Sequence, residues 1–368
     1  MRLSSGRVRG LDQGAVRTFS GIRYAQPPVG RLRWAPPKAP EPWPGVADAT
    51  KPGAACPQAQ LPGVPPTSED CLYLNVTMPR DTGGRRLPVM VWLHGGGFTT
   101  GAGSQYDAKR LATQGDVIVV TVNYRLGVFG YFGHEELAGS GTFAMADQIA
   151  ALRWTRRNAA ALRKGTFHRV PVISGGTRDE MRSFIGGAIM AGQKFTPERY
   201  PELLREAFGE KAAAMAARYP LSAYASPALA WAAVITDGAW ACPTLEGDRL
   251  LARRADVYAY EFGDPDAPNV NGIEVPGFPL GATHATDLPS LFDLGGVYAL
   301  PTPAQQRLGA RMVGYWTAFA RTGDPNVKDA PRWSRFTGQG PVLSLVPDAV
   351  KPVGYTADHQ CAFWRSIA

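Results

Sequence analysis

His94-Gly95-Gly96-Gly97-Phe98 is the first stretch of this chain whose residue types point to chemistry. Three consecutive glycines follow directly on the apolar run Pro88 to Leu93, and they let the backbone turn so that successive N–H groups converge on one spot. A developing oxyanion needs that arrangement, so the loop suits acyl transfer through a tetrahedral intermediate. No metal chemistry competes with it: the four cysteines, Cys56, Cys71, Cys242 and Cys361, form no C-x-x-C, and no H-x-x-x-H spacing occurs. Cys56 and Cys71 are close enough in sequence to close a short loop worth about 3 kcal/mol if oxidised. The N-terminal residues carry Arg2, Arg7 and Arg9 with no apolar stretch behind them. That pattern reads as no export signal, so reduced structural thiols and a cytoplasmic location are expected.

The elements that must hold such a loop are visible on either side of it. Pro88 to Leu93 and Val117 to Val122 are short, β-branched and almost uninterrupted in apolarity, as expected of strands covered on both faces of a parallel sheet. An amphipathic helix over roughly 143–160 carries Met145, Ile149 and Leu152 at i, i+4, i+7 with Ala146 and Ala150 beside them. Val170 to Ile173 reads as a third strand and Val257 to Phe262 as a fourth. Leu204, Phe208, Ala212 and Met215 fall on one helical face; Leu308, Met312, Trp316 and Phe319 fall on another, which Gly323 and Pro325 terminate. Strands alternating with helices over 368 residues, 45% of them hydrophobic and 19% charged, give an α/β layered fold and exclude a disordered chain. No apolar run spans a membrane. The 39 Lys plus Arg exceed the 31 Asp plus Glu, but the charges are scattered and no basic run reaches five, which argues against a nucleic-acid groove.

Several longer stretches are distinctive: Phe19-Ser20-Gly21-Ile22-Arg23-Tyr24-Ala25-Gln26-Pro27-Pro28-Val29-Gly30, Glu69-Asp70-Cys71-Leu72-Tyr73-Leu74-Asn75-Val76, Asn123-Tyr124-Arg125-Leu126-Gly127, Asp147-Gln148 with Leu152-Arg153-Trp154, and His359-Gln360-Cys361-Ala362-Phe363-Trp364. With the glycine loop they run from the first twenty residues to the last ten. The chain resembles the type-B carboxylesterases, the group of the para-nitrobenzyl esterases and cholinesterases. That resemblance implies a single α/β-hydrolase domain over 1–368, a Ser-Glu-His triad, a small carboxylic ester as substrate and no metal or organic cofactor. The oligomeric state stays open.

Carried over residue by residue, the resemblance makes Glu180, in Gly176-Thr177-Arg178-Asp179-Glu180, the acid, with Asp179 as the alternative. His284, in Gly281-Ala282-Thr283-His284, becomes the base. The N–H groups of Gly96 and Gly97 become the oxyanion donors. His94 belongs to the oxyanion loop and His359 to the C-terminal signature, while His134 and His168 read as surface or packing residues.

The nucleophile should be the Ser of G-x-S-x-G on a strained strand-to-helix turn. No Ser or Cys in the chain has Gly both two before and two after it. Arg157-Asn158-Ala159-Ala160 runs directly into a stretch that resembles the approach to the acid-bearing strand, so the resemblance implies an internal deletion with its junction near 158–165. The fold would then be incomplete, with central strands missing and their neighbours left with open edges. The expected function is a carboxylesterase scaffold without its nucleophile. Two alternatives are a non-catalytic binding or adhesion module, and an esterase rebuilt on Ser174, a strand-end residue with Gly176 two after it but Val172 two before it.

Overall fold

The run from Ile118 to Val122 is buried at every position, and its β-branched residues place it inside a sheet. In the computed structural model, which describes residues 1–368 except 61, 62, 83, 84, 86, 163–169, 254, 297 and 368, this strand lies between Tyr73–Pro79, antiparallel to it, and Val89–Leu93, parallel to it. The strands Leu11–Gln13 and Val16–Arg23 complete a five-stranded sheet. Helix Lys109–Gly115 lies within the crossover between the parallel pair, as a parallel connection requires.

The chain forms two compact units. The first contains Met1–Phe167 with Leu291–Val297 and Val313–Thr322; the second contains His168–Ser290, Tyr298–Met312 and Gly323–Ala368.

In the first unit, Val89–Leu93 departs from expectation. It is an edge strand, only partly buried, with Leu93 exposed. Among the described residues it pairs only with Ile118–Val122, so one of its edges carries no ladder and its side chains are only partly covered. Helix Phe143–Leu162 packs on these two strands, but through a different face from the one its largest apolar residues suggest. Ala144, Asp147, Ala151, Trp154 and Asn158 are buried, whereas Met145, Ile149 and Leu152 are 55%, 45% and 46% exposed. The buried face is set by a charge. Asp147 accepts two hydrogen bonds from the Arg125 guanidinium, at 2.7 and 2.8 Å, and one from the Arg125 amide at 3.1 Å, and both side chains are sealed from water.

In the second unit, Val172–Thr177, Val257–Phe262 and Val342–Leu345 are parallel, and Lys351–Val353 closes one edge antiparallel. The strand expected over Val170 to Ile173 begins and ends later. Pro171 has no N–H to offer the ladder, so pairing starts with the Val172 amide on the Asp256 carbonyl. The strand then continues through Gly175, where a Cβ would lie 2.2 Å from the Tyr260 carbonyl oxygen. Ser174 therefore sits inside the strand, opposite Ala259, and not at its end. The face shared by Leu204 to Met215 belongs to two helices, Arg199–Phe208 and Ala212–Arg218, broken at Gly209. Helix Pro303–Thr322 is continuous and stops before Gly323 as its sequence predicts.

All four cysteines are oxidised, against the expectation of free thiols. Cys56 bonds Cys71 and Cys242 bonds Cys361. The expectation rested on the N-terminal residues, whereas pairing is decided by the approach of the backbones, with Cα separations of 4.9 and 5.2 Å. Closing loops 15 and 119 residues long removes unfolded-chain entropy worth roughly 3 and 5 kcal/mol. Among the described residues no helix is long and apolar enough to cross a membrane.

Beside the second disulfide, His359 is buried with both ring nitrogens on carboxylates, Asp237 and Glu261, each at 2.6 Å. Tyr219 donates to Asp237 at 2.8 Å and Trp364 to Tyr219 at 2.6 Å. Burial opposes the imidazolium, but hydrogen bonds to the two carboxylates outweigh it and push the His359 pKa up to about 9. Because the folded value lies above the unfolded value of about 6.5, this stabilisation is complete below pH 6.5 and is lost as pH rises through 9. The expected loss, on the order of 3 kcal/mol, would appear as a lower urea midpoint at pH 9.5 than at pH 6.5. The same pH change should leave His359→Gln, already destabilised, nearly unmoved. Equal pH dependence in both proteins would refute the assignment.

Candidate active site

In the second unit Glu180 lies three residues beyond the end of strand Val172–Thr177. Thr177 donates its hydroxyl, and its amide at 3.4 Å, to Oε2 of Glu180, which fixes the carboxylate three residues on. The other oxygen, Oε1, accepts from Nδ1 of His284. The loop bearing the histidine is tied to the same turn: the His284 amide and the Thr283 hydroxyl both donate to the Glu180 carbonyl, at 3.2 Å each. Asn271 Nδ2 donates to the His284 carbonyl at 2.8 Å.

Glu180 is 3% exposed and His284 40%, so the acid is sequestered while the imidazole reaches solvent. The hydrogen bond to Glu180 raises the His284 pKa against the opposing effect of burial. No described residue takes the hydrogen bond of Nε2, the nitrogen left to serve a reacting group. Phe184 and Trp240 flank the ring, with centroids at 5.2 and 6.1 Å.

Asp287 adds a second carboxyl to this neighbourhood. Burial, and then the charge of Glu180, push it up to about 6, and Tyr260 is its hydrogen-bond partner.

The structure brings Glu180 to His284 and does not bring Asp179 there. Asp179 is held by Arg182 at 2.8 Å and Arg178 at 3.5 Å, and it accepts the Ala282 amide at 3.0 Å. Ser174 is not brought to His284 either. Its hydroxyl bonds the carboxyl of Asp248, on helix Cys242–Ala252, which burial pushes up. His134 is exposed, His94 is buried under the glycine loop, and His168 lies outside the described residues.

In the first unit, the loop after Leu93 takes the shape its glycines permit. Gly96 has φ +120° and Gly97 +58°, and a Cβ on Gly96 would lie 2.1 Å from the Thr100 carbonyl oxygen. The Gly96 carbonyl accepts the amides of Thr99 and Thr100 at 3.1 Å. Among the described residues, nothing accepts the amides of Gly96 and Gly97, which are exposed donors of the kind an oxyanion site uses. Beneath them, Tyr124 donates to the His94 carbonyl and stacks on its ring, with centroids 4.4 Å apart. Burial lowers the His94 pKa and favours the neutral ring. Gln58 clamps the far side of the loop through both the N–H and the carbonyl of Gly101, at 2.7 and 2.8 Å.

Sequence reasoning missed Gln58, Thr177, Asn271, Asp248 and Asp287. Of these only Thr177 is close in sequence to the residue it positions. Among the described residues no cluster of His, Cys, Asp or Glu could hold a metal ion.

A buried acid just beyond a parallel-strand end, hydrogen-bonded to a histidine from a distant loop in a layered α/β architecture, is the pattern of an α/β-hydrolase. Solved structures agree. A para-nitrobenzyl esterase superposes with TM-score 0.77 and 26% identity, covering 98% of each chain. A thermophilic one gives TM-score 0.73 at 25% identity. The model of the carboxylesterase family matches residues 1–162 and 159–364, and the chain belongs to that family. The para-nitrobenzyl esterase of Bacillus subtilis (strain 168) is 48% identical over 166 residues, 42% of this chain and 34% of that protein. The cocaine esterase of Oryctolagus cuniculus is 46% identical over 173 residues, 44% of this chain and 32% of that protein. The chain thus spans about a third of the length of these two relatives. The cocaine esterase of Homo sapiens aligns at 27% identity over 498 positions, covering 97% of this chain and 88% of that protein.

Proposed function

We propose that the chain is a carboxylesterase scaffold for small carboxylic esters that keeps the acid, base and oxyanion loop but has lost its nucleophile to an internal deletion. The observation that carries this reading is the assembled Glu180–His284 pair in a chain where no Ser or Cys has the G-x-S-x-G setting. With a nucleophile present, His284 would take its proton and return it to the departing alcohol. Glu180 would hold the imidazole tautomer, and Gly96 and Gly97 would receive the oxyanion. The reaction needs no cofactor.

Three observations support the deletion. The family model matches in two runs that meet at 159–162, where the junction proposed for a single 1–368 domain lies; residues 163–165 of that junction fall outside the described residues. The alignment of 498 positions must open gaps of well over a hundred positions in a 368-residue chain. Each of the two larger sheets, taken by itself, also ends in a parallel strand paired on one side only among the described residues, Val89–Leu93 in the five-stranded one and Val172–Thr177 in the four-stranded one. Parallel strands are normally interior and covered. The two disulfides favour an oxidising compartment over the cytoplasm.

A fluorophosphonate labels an activated serine whatever ester it prefers. Intact-mass measurement of the folded chain after treatment is expected to show no adduct, and hydrolysis of a nitrophenyl ester should be the same for His284→Ala as for the unaltered chain. A stoichiometric adduct mapped to Ser174 would instead establish a rebuilt nucleophile.

A further inference from the structure

The second unit contains a cavity of about 310 Å³ that plays no part in the chemistry above. Its wall is braced by a cross-link, a hydrogen bond and close packing. Helices Cys242–Ala252 and Cys361–Ile367 are cross-linked there by the Cys242–Cys361 disulfide. The Trp364 indole is fixed by its hydrogen bond to Tyr219, and it packs so closely on Gly238 that a Cβ there would lie 2.4 Å from the ring. Phe208 meets the indole edge-on at 5.6 Å. A preformed apolar wall of this kind loses little entropy on binding.

The charged residues lining the cavity are unbalanced. Among the described residues, Lys211, Arg249 and Arg365 line it with one carboxylate, Glu246. Glu246 pairs with Arg249 at 3.1 Å and lies 3.8 Å from Arg365, while the Lys211 ammonium is bonded to the uncharged Ile367 carbonyl. Among the described residues, positive charge is thus in excess at this wall. The Arg249 side chain is only 15% exposed, which strengthens its field on anything bound beside it.

We propose that this cavity binds a small amphipathic carboxylate, its apolar body against Trp364 and Phe208 and its anion beside Lys211 and Arg365, away from Glu246, which already lies between Arg249 and Arg365. The volume, near the lower end of the roughly 300–1,000 Å³ typical of ligand sites, suits a single short acyl or aryl acid. The proposal concerns the second unit alone and stands whether or not the chain hydrolyses esters.

Calorimetric titration of the full chain with sodium octanoate tests it, with octylammonium chloride as the apolar match of opposite charge. Saturable one-to-one binding of octanoate is expected, at least about tenfold tighter than octylammonium. It should weaken by about tenfold in the double variant Lys211→Glu, Arg365→Glu, both surface positions, and stay unchanged in His284→Ala. Equal binding of the two amphiphiles, no saturation at millimolar octanoate, or loss of binding in His284→Ala would overturn it. Should the double variant not fold, a diazirine-bearing octanoate mapped by mass spectrometry decides the matter. Adducts on the Cys361–Ile367 helix or at Phe208 support the site, and adducts confined elsewhere refute it.

Discussion

Replacing residues 159–169 with the strand, elbow and helix segment of a complete carboxylesterase is expected to raise nitrophenyl ester turnover by about five orders of magnitude. The size follows from what a nucleophile contributes. In another serine hydrolase its loss removes about six orders of magnitude in turnover, leaving only binding and the oxyanion hole. The Glu180–His284 hydrogen bond and the open amides of Gly96 and Gly97 exist without the segment, so the graft has to supply a serine and the family's third oxyanion donor, which follows that serine. In the grafted protein His284→Ala should cost nearly the whole gain, and Glu180→Gln about four orders of magnitude, because the imidazole would lose its tautomer and its counter-charge. A graft that folds cooperatively, is labelled by fluorophosphonate and yet shows no dependence on His284 would sink the reading. So would a grafted chain no more active than the chain without it.

How much of this was legible in the sequence depended on how far apart the interacting residues lie. The glycine loop follows its strand covalently, so Pro88 to Phe98 announce both the strand and the turn, and the backbone at Gly96 and Gly97 conforms. Glu180 and His284 are 104 residues apart, and nothing in their spacing joins them; only likeness to a family did. Residues that hold the pair, such as Thr283 and Asn271, carry no local signal because their partners arrive through the fold. The disulfide between Cys242 and Cys361 was hidden for the same reason, its partners lying 119 residues apart. Helix Phe143–Leu162 shows a different limit. Its apolar residues form more than one stripe, and periodicity finds stripes without saying which is covered. The stripe of Met145, Ile149 and Leu152 is exposed because no described strand or helix of its unit lies over it.

Replacing Asp147 with Ala should destabilise the first unit by about 3–5 kcal/mol. Arg125 is 2% exposed, and its guanidinium leans on the Phe143 ring, 5.4 Å from the centroid, with no route to water. Removing Asp147 strands that charge. Arg125→Met should be nearly as damaging, since burial already raises the Asp147 pKa and only the arginine opposes it. The double variant Arg125→Met, Asp147→Leu should cost less than the sum of the single ones, because no isolated charge remains. Urea unfolding of the four proteins measures the coupling, and single variants that each lose under about 1 kcal/mol would show the pair to be dispensable. The consequence reaches the oxyanion loop. Arg125 sits in the Asn123 to Gly127 turn, whose last amide donates to the Phe98 carbonyl at 2.7 Å and whose Tyr124 holds the His94 carbonyl. The helix therefore positions the loop through one buried charge, so the Asp147 variant of the grafted enzyme should lose turnover as well as stability.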